Sequence, residues 1–153
     1  MEDGVLKAEY DAFALQGGKS RKLKAFTLVT DVVFKEHKQE SENYLGMWIG
    51  ANLAEKKVTM GYCPKENKVK IIYENKVLKE ATVPEIGLNK QFNLAFKLTS
   101  DGVIQIYIDK QLVLEDTNKN VYVYDNIIVF WNSNNIVHLD NMILADEFYP
   151  VKK

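Results

Sequence analysis

Residues 92–109 read FNLAFKLTSDGVIQIYID, and the chain continues through LVLED, DNIIVFWN and IVHLDNMIL to Phe148. Apolar side chains occupy every second position on both sides of the Asp101-Gly102 turn; they are Phe92, Leu94, Phe96, Leu98, Ile104, Ile106 and Ile108. A period of two is typical of β-strands that bury one face. The short connections DG, KQ and SNN predict turns between antiparallel strands. Residues 92–148 therefore predict an antiparallel sheet with little room for a helix.

The rest of the chain continues this pattern. Further strands are predicted at residues 5–9, 11–15, 23–34, 44–51, 57–63, 68–74 and 77–83, with a short helix at residues 53–57 as the one departure. About ten to twelve strands at this spacing favour an all-β, two-sheet antiparallel sandwich over a single barrel. Since no linker or repeat divides the chain, residues 1–153 are predicted to form one domain.

Composition narrows the classes of function. The 153 residues are 46% apolar and 27% charged, as in an ordinary globular protein. Twenty basic against 21 acidic residues give a net charge of -1, so a nucleic-acid partner is not expected. No membrane span and no signal peptide are predicted in this chain. Cys63 is the single cysteine, which excludes an intrachain disulfide.

Motifs for catalysis on a β-sandwich are missing from the sequence. A retaining glycosidase holds two carboxylates about 5 Å apart on one face of its site. Glu115-Asp116 and Asp146-Glu147 are adjacent pairs, so the two members of each pair point to opposite faces of a strand. Two histidines and one cysteine argue against a zinc site. We predict that the protein is not an enzyme.

Four segments together are similar to a known family. They are AFTLVTDVVF at residues 25–34, YLGMWIG at 44–50, the hairpin DGVIQIYID at 101–109 and HLDNMIL at 138–144. Over residues 7–148 the chain resembles the concanavalin A-like (laminin G-like) jelly roll of levan-binding modules and of the C-terminal β-sandwich of family-32 glycoside hydrolases. The resemblance implies a non-catalytic carbohydrate-binding module of a larger exported protein. Such a module would be extracellular or on the cell surface, with a glycan as its partner.

The chain differs from that family at two points. The family usually has a glycine after the Asp of its second hairpin, whereas Asp109 is followed by Lys110 and Gln111. This weakens the turn signal, although Asp tolerates the left-handed region. The levan-binding modules hold sugar hydroxyls with arginines and acids, whereas this chain has one arginine, Arg21. The ligand of those modules therefore does not carry over.

Sugar binding needs aromatic rings that stack on the C–H face of a pyranose and amides that bond its hydroxyls. The candidate ligand-binding residues are Tyr44, Trp48, Tyr107, Trp131, Asn132 and Asn134. Tyr44 and Trp48 share the face of their strand that also carries two glycines. Trp131 ends the apolar run at 127–131 and is the tryptophan more expected in the core. For each aromatic residue the alternative is packing in the core or at a strand edge.

Asp140 is a candidate metal ligand through the same resemblance. In this fold class an acid of the last strand often helps to hold a structural calcium with backbone carbonyls of the N-terminal strand. Further ligands would come from the start and the end of the chain, with Glu9 as the first candidate and Glu2, Asp3, Asp11, Asp146 and Glu147 as the others. The alternative is that Asp140 and Asn141 close a turn or bulge through side-chain-to-backbone hydrogen bonds.

Two functions of different classes remain open. One is glycan binding on a sheet face, and the other is a protein-interaction or structural domain that presents Trp48 to another protein. A concave face lined by aromatic and amide side chains favours the first, and a flat apolar patch of roughly several hundred Å² favours the second.

Overall fold

A computed structural model describes residues 6–17, 25–38, 42–52, 55–99, 101–117 and 127–145, although not the side chains of 6–17, 51–57, 127–128 and 144. Every regular element in these residues is a β-strand. The strands are β1 (Leu6–Gly17), β2 (Phe26–His37), β3 (Tyr44–Asn52), β4 (Glu55–Cys63), β5 (Lys68–Tyr73), β6 (Lys76–Thr82), β7 (Gln91–Leu98), β8 (Val103–Ile108), β9 (Gln111–Thr117) and β10 (Ile127–Ala145). No helix in the described part of the chain is long and apolar enough to cross a membrane.

The long strand β10 joins the two layers of the fold. Its residues 127–133 pair with β3 and its residues 135–145 pair with β2, always antiparallel. Strands β4, β5 and β6 continue outward from β3, and β7, β8 and β9 continue from β2, while β1 pairs with β10. The two ends of this order, β6 and β9, contact each other, so the sheet folds over on itself. The predicted all-β antiparallel sandwich is confirmed.

The core lies between the two layers and follows the alternation in the sequence. Along β2 five alternate residues are fully buried: Phe26, Leu28, Thr30, Val32 and Phe34. The predicted buried faces of β7 and β8 are confirmed at Phe92, Leu94, Phe96, Leu98, Ile104, Ile106 and Ile108. The rings of Phe34 and Phe92 lie 5.8 Å apart, and Phe92 meets Tyr62 of the opposite layer at 5.7 Å. The contacts of Phe34 and Phe92 with Tyr62 connect the layers.

Two tight hairpins rest on non-glycine residues in the left-handed region. Asp109 and Lys110 have φ of 48° and 67°, and Glu74 and Asn75 have φ of 45° and 66°. Two consecutive left-handed residues are the geometry of a two-residue hairpin turn. The Asp109 carboxylate also accepts the backbone N–H of Asn93 at 2.9 Å, which stabilises the turn without a glycine.

The predicted turn at Ser133-Asn134-Asn135 is wrong, because β10 runs through it without interruption. β2 pairs with β10 as far as Asn135 and β3 pairs with it from Ser133, so Asn134, at φ 60°, is a bulge between the two ladders.

The structure also differs from the predicted elements at two other places. The predicted strands at 5–9 and 11–15 are one strand, β1, with register shifts, of which residues 6–17 are described. Of the helix predicted at 53–57, residues 55–57 belong to β4, and 53–54 lie outside the described residues.

Candidate functional site

The outer face of β3, β4 and β5, together with the first half of β10, forms a groove of about 600 Å³. Tyr44 and Trp48 reach it because they alternate along β3 with the core residues of that strand. The ladder aligns Trp48 with Thr59 of β4, and Thr59 with Ile72 of β5. Trp131 of β10 lines the groove from the other side of β3. The sheet therefore brings three of the predicted aromatic residues to one surface.

Two glycines make room for the ring of Tyr44. Gly46 and Gly61 are paired across β3 and β4, and an added Cβ on either one would overlap the Tyr44 side chain. The Tyr44 hydroxyl donates to the carbonyl oxygen of Met60 at 2.6 Å. Burial raises the pKa of this phenol well above its usual value, so it stays a donor over the physiological range. Tyr44 is thus held flat against β4.

The two tryptophans differ in burial, in the opposite sense to the prediction. Trp48 is 1% exposed, whereas Trp131 is only partly buried. Trp131 pairs with Gly46, two residues from Trp48, so the two indoles are diagonal neighbours with Cα atoms roughly 7–8 Å apart. The prediction that Trp131 is the more buried of the two tryptophans is wrong. Its side chain is the more accessible aromatic platform of the groove.

Polar and charged side chains surround these rings. Asn43, Asn75, Ser133 and Thr59 offer amides and hydroxyls to the groove. Its charged residues are two glutamates, Glu42 and Glu66, and two lysines, Lys65 and Lys70. Lys70 Nζ lies 2.5 Å from the Glu66 carboxylate. The lining therefore combines an apolar platform with hydrogen-bonding groups around it.

Cys63 lies in the same groove. Burial raises the pKa of its thiol to about 11, with Lys70 lowering it and Glu66, Glu42 and Glu80 raising it. Because the thiolate is the nucleophilic form, this cysteine is poorly reactive near neutral pH.

Asn132 and Asn134 lie next to the groove and bond to the backbone around it. Asn132 is 1% exposed and donates to the carbonyl oxygen of Asn135 at 2.7 Å. Asn134 donates to the carbonyl oxygen of Glu42 at 2.7 Å and accepts a hydrogen bond from the Asn43 amide. Their hydrogen bonds fix the segment that leads into β3.

Asn135 belongs to the same network. It is fully buried, and its amide donates to the carbonyl oxygens of Tyr44 and Ser133 at 3.3 and 3.0 Å. The side-chain oxygen Oδ1 of Asn135 lies 2.7 Å from Nδ1 of His37. Since Asn135 supplies an acceptor here, the Nδ1 of His37 is the donor.

Tyr107 is not part of the groove. It lies on β8, in the other layer, where the Lys97 ammonium sits 5.2 Å from the centre of its ring. Its hydroxyl donates to Gln105 at 3.0 Å. Of the predicted ligand-binding residues it is therefore the one that lies apart from the rest.

Asp140 lies at a second bulge of β10, where the register against β2 shifts between Asp140 and Ile143. Its carboxylate accepts the N–H of Asn141 at 2.8 Å, and Asn141 has φ 51°. The Asn141 amide donates to Asp31 of β2 at 2.8 Å. These contacts are those expected of the bulge alternative.

The calcium site stays a prediction. Among the side chains that the structure describes, no group of three or more His, Cys, Asp or Glu residues could hold a metal ion. Glu9 pairs with Ile136, which is four residues or about 13 Å along β10 from Asp140, and its side chain lies outside the described set. Calcium requires six to eight oxygens, so Asp140 would need further ligands, either backbone and amide oxygens or carboxylates from outside the described side chains.

Comparison with known families identifies the fold. The family model described as "Trans-sialidase, C-terminal domain" matches residues 22–140. The chain belongs to this family. The trans-sialidase C-terminal domain is a lectin-like β-sandwich, so the general type inferred from the resemblance is confirmed. A comparison with curated protein sequences finds no match.

Solved structures share the fold of this trans-sialidase C-terminal domain. The carbohydrate-binding module CBM66 from Bacillus subtilis is 19% identical, with a TM-score of 0.60, over 90% of this chain and 83% of that one. Trypanosoma rangeli sialidase is 16% identical with a TM-score of 0.60, over 82% of this chain but 21% of its own length. The potassium-bound Emp46p carbohydrate recognition domain is 9% identical with a TM-score of 0.57, over 82% of this chain and 73% of that one.

Several groove residues could not be found from the sequence. Thr59, Cys63, Lys70 and Ile72 enter it through the register of β4 and β5. One local feature of the sequence pointed to the groove, namely a glycine in each of two predicted strands. These glycines, Gly46 and Gly61, pair with each other across β3 and β4.

Proposed function

We propose that this protein is a non-catalytic carbohydrate-binding module whose ligand lies in the groove of β3, β4, β5 and β10. The observation that carries the proposal is that the partly exposed rings of Trp131 and Tyr44 line one concave surface, with the buried Trp48 packed beside them. Aromatic faces bind the apolar side of a sugar ring, and neighbouring amides and hydroxyls bond its polar edge. Asn43, Asn75, Ser133 and Thr59 supply such groups beside the rings.

The comparisons support this proposal. Two of the proteins with this fold are a carbohydrate-binding module and a carbohydrate recognition domain. Other proteins with the fold include an alginate lyase, so the fold by itself is compatible with catalysis. Binding without catalysis is favoured because the matching family is a C-terminal domain and Glu66, an acid of the groove, is engaged by Lys70.

We extend the proposal to the setting of the protein. The chain would act as one module of a larger extracellular or cell-surface protein, in which another domain supplies any enzymatic activity. The similarity to Trypanosoma rangeli sialidase, of which the chain spans about a fifth, supports such an arrangement.

Trp131→Ala is the variant that tests the groove. Immobilised oligosaccharides are first screened, and the best ligand is then measured by titration calorimetry. Loss of one stacking ring is expected to cost about 1–2 kcal/mol, which weakens binding about tenfold. Because Trp131 is only partly buried, the melting temperature should change little. Tyr107→Ala, on the opposite layer, is the matched control and should keep the affinity of the wild type.

Trp48 is a poorer test residue because it is 1% exposed. Its replacement by Ala is expected to cost about 3–5 kcal/mol of stability through the cavity left behind. Trp48→Phe keeps an aromatic face and allows a folded comparison. If the wild type binds no oligosaccharide at millimolar concentration, or if Trp131→Ala binds as tightly as the wild type, the proposal fails. The protein-interaction alternative would then stand.

A further inference from the structure

We infer that the groove selects neutral glycans and rejects glycans that carry carboxylate or sulfate groups, with Glu66 as the residue that sets this preference. The inference rests on the proposed function and specifies its ligand class. It follows from how the charges in and beside the groove are paired.

The lysines of β5 that face the groove side are each engaged by a glutamate. Lys70 and Glu66 lie 2.5 Å apart, and Lys68 and Glu80 lie 2.8 Å apart. Lys70 lines the groove, and Lys68 lies two residues before Lys70 on the same face of β5. An anionic sugar that bound at Lys70 would have to draw this lysine away from Glu66 and leave that carboxylate beside a second negative charge. Two negative charges held close together repel each other, which is unfavourable.

The formal charges of the groove lining cancel. Glu42 and Glu66 balance Lys65 and Lys70. Guanidinium groups bind carboxylates in a bidentate manner, but the one arginine of the chain, Arg21, lies outside the described residues. The described lining thus offers no forked donor for an acidic sugar.

The Cys63 thiol lies among the same charged groups. Beyond burial, three carboxylates raise its pKa, those of Glu66, Glu42 and Glu80, and one ammonium, that of Lys70, lowers it. The Lys70 ammonium has the largest of these charge effects, and the three carboxylates oppose it, so its positive charge is counterbalanced at this point.

A matched pair of ligands tests the inference. The best neutral oligosaccharide from the screen is compared, by titration calorimetry, with the same oligosaccharide after oxidation of its primary hydroxyls to carboxylates. Wild-type protein should bind the neutral form at least tenfold more tightly. Binding of the neutral form should be insensitive to NaCl between about 0.05 and 0.5 M, because a neutral ligand has no charge to screen.

Glu66→Gln releases Lys70 and should narrow the difference in affinity between the neutral and the oxidised ligand at least fivefold. Glu115→Gln, an exposed glutamate of β9, is the matched control and should leave this difference unchanged. Equal or tighter binding of the oxidised ligand by the wild type overturns the inference while leaving sugar binding intact. The inference is also overturned if Glu66→Gln shows the same difference in affinity between the neutral and the oxidised ligand as the wild type. Absence of binding to every neutral and acidic ligand overturns the proposed function itself.

Discussion

The phenol ring of Tyr44 lies directly over Gly61, the residue that follows the carbonyl to which the Tyr44 hydroxyl donates. A β-carbon at Gly61 would occupy the space of the ring. The hydrogen bond to Met60, 2.6 Å long, can form only because the adjacent residue has no side chain. The glycine and the tyrosine therefore act as one unit, which shapes the floor of the groove.

Gly61→Ala is expected to destabilise the protein by about 1–3 kcal/mol, as overpacking of a close contact does. The methyl group must displace the Tyr44 ring, since the overlapping atoms belong to the ring and not to a flexible tip. Urea denaturation measures the loss. Gly87→Ala is the control, because nothing lies within 4 Å of a Cβ added there. Equal stability of Gly61→Ala and the wild type would contradict the close packing.

Much of the fold could be predicted because the alternation is local. The phenylalanines, leucines and isoleucines at alternate positions of β7 and β8 face the core, so a period of two in the sequence translates directly into the buried face. The path of β10 could not be predicted in this way. An asparagine in the left-handed region serves a turn and a bulge equally well, and Asn134 forms a bulge because β2 and β3 pair with β10 on both sides of it.

The candidate site was predictable only in part. The glycines of β3 indicated that Tyr44 and Trp48 share a less crowded face, and both line the groove. The burial of Trp131 could not be inferred from its apolar neighbours in the sequence, because side-chain burial depends on which strands lie alongside. Similarly, Lys70 reaches the groove through the pairing of β4 with β5, a long-range feature.

Asn135→Ala is expected to destabilise the protein by about 1–3 kcal/mol, because buried partners lose their hydrogen bonds. His37 loses its acceptor, and the carbonyl oxygen of Tyr44 loses the Asn135 amide. The midpoint of urea unfolding measures the effect. Gln91→Ala, on the exposed first residue of β7, should stay within about 0.5 kcal/mol of the wild type. A loss for Asn135→Ala no larger than that of the control would show that the network contributes nothing.

The Cys63 thiol should titrate near pH 11 in the folded protein, since burial raises its pKa from 9.0 to about 11. As the pH rises, the unfolded chain loses this proton first, so folding stability should fall between about pH 9 and pH 11. Thiolate absorbance at alkaline pH measures the native midpoint, and the same titration in urea gives the unfolded one. Cys63→Ala should remove this component of the pH dependence. A native midpoint near that of the unfolded chain would contradict the burial of the thiol.

The variant Asp140→Asn distinguishes two roles of Asp140, calcium binding and closure of the bulge. An asparagine oxygen can still accept the N–H of Asn141, so the bulge should survive the substitution. Calcium, by contrast, prefers the charged carboxylate. If Asp140 is a calcium ligand, calcium at 100 times its dissociation constant stabilises the wild type by about 2.7 kcal/mol and the variant by less. We expect the wild type to melt at a higher temperature in calcium than in chelator. For Asp140→Asn, the difference between these two melting temperatures should be smaller. If the wild type melts at the same temperature in calcium and in chelator, Asp140 is not a calcium ligand and its role is to close the bulge.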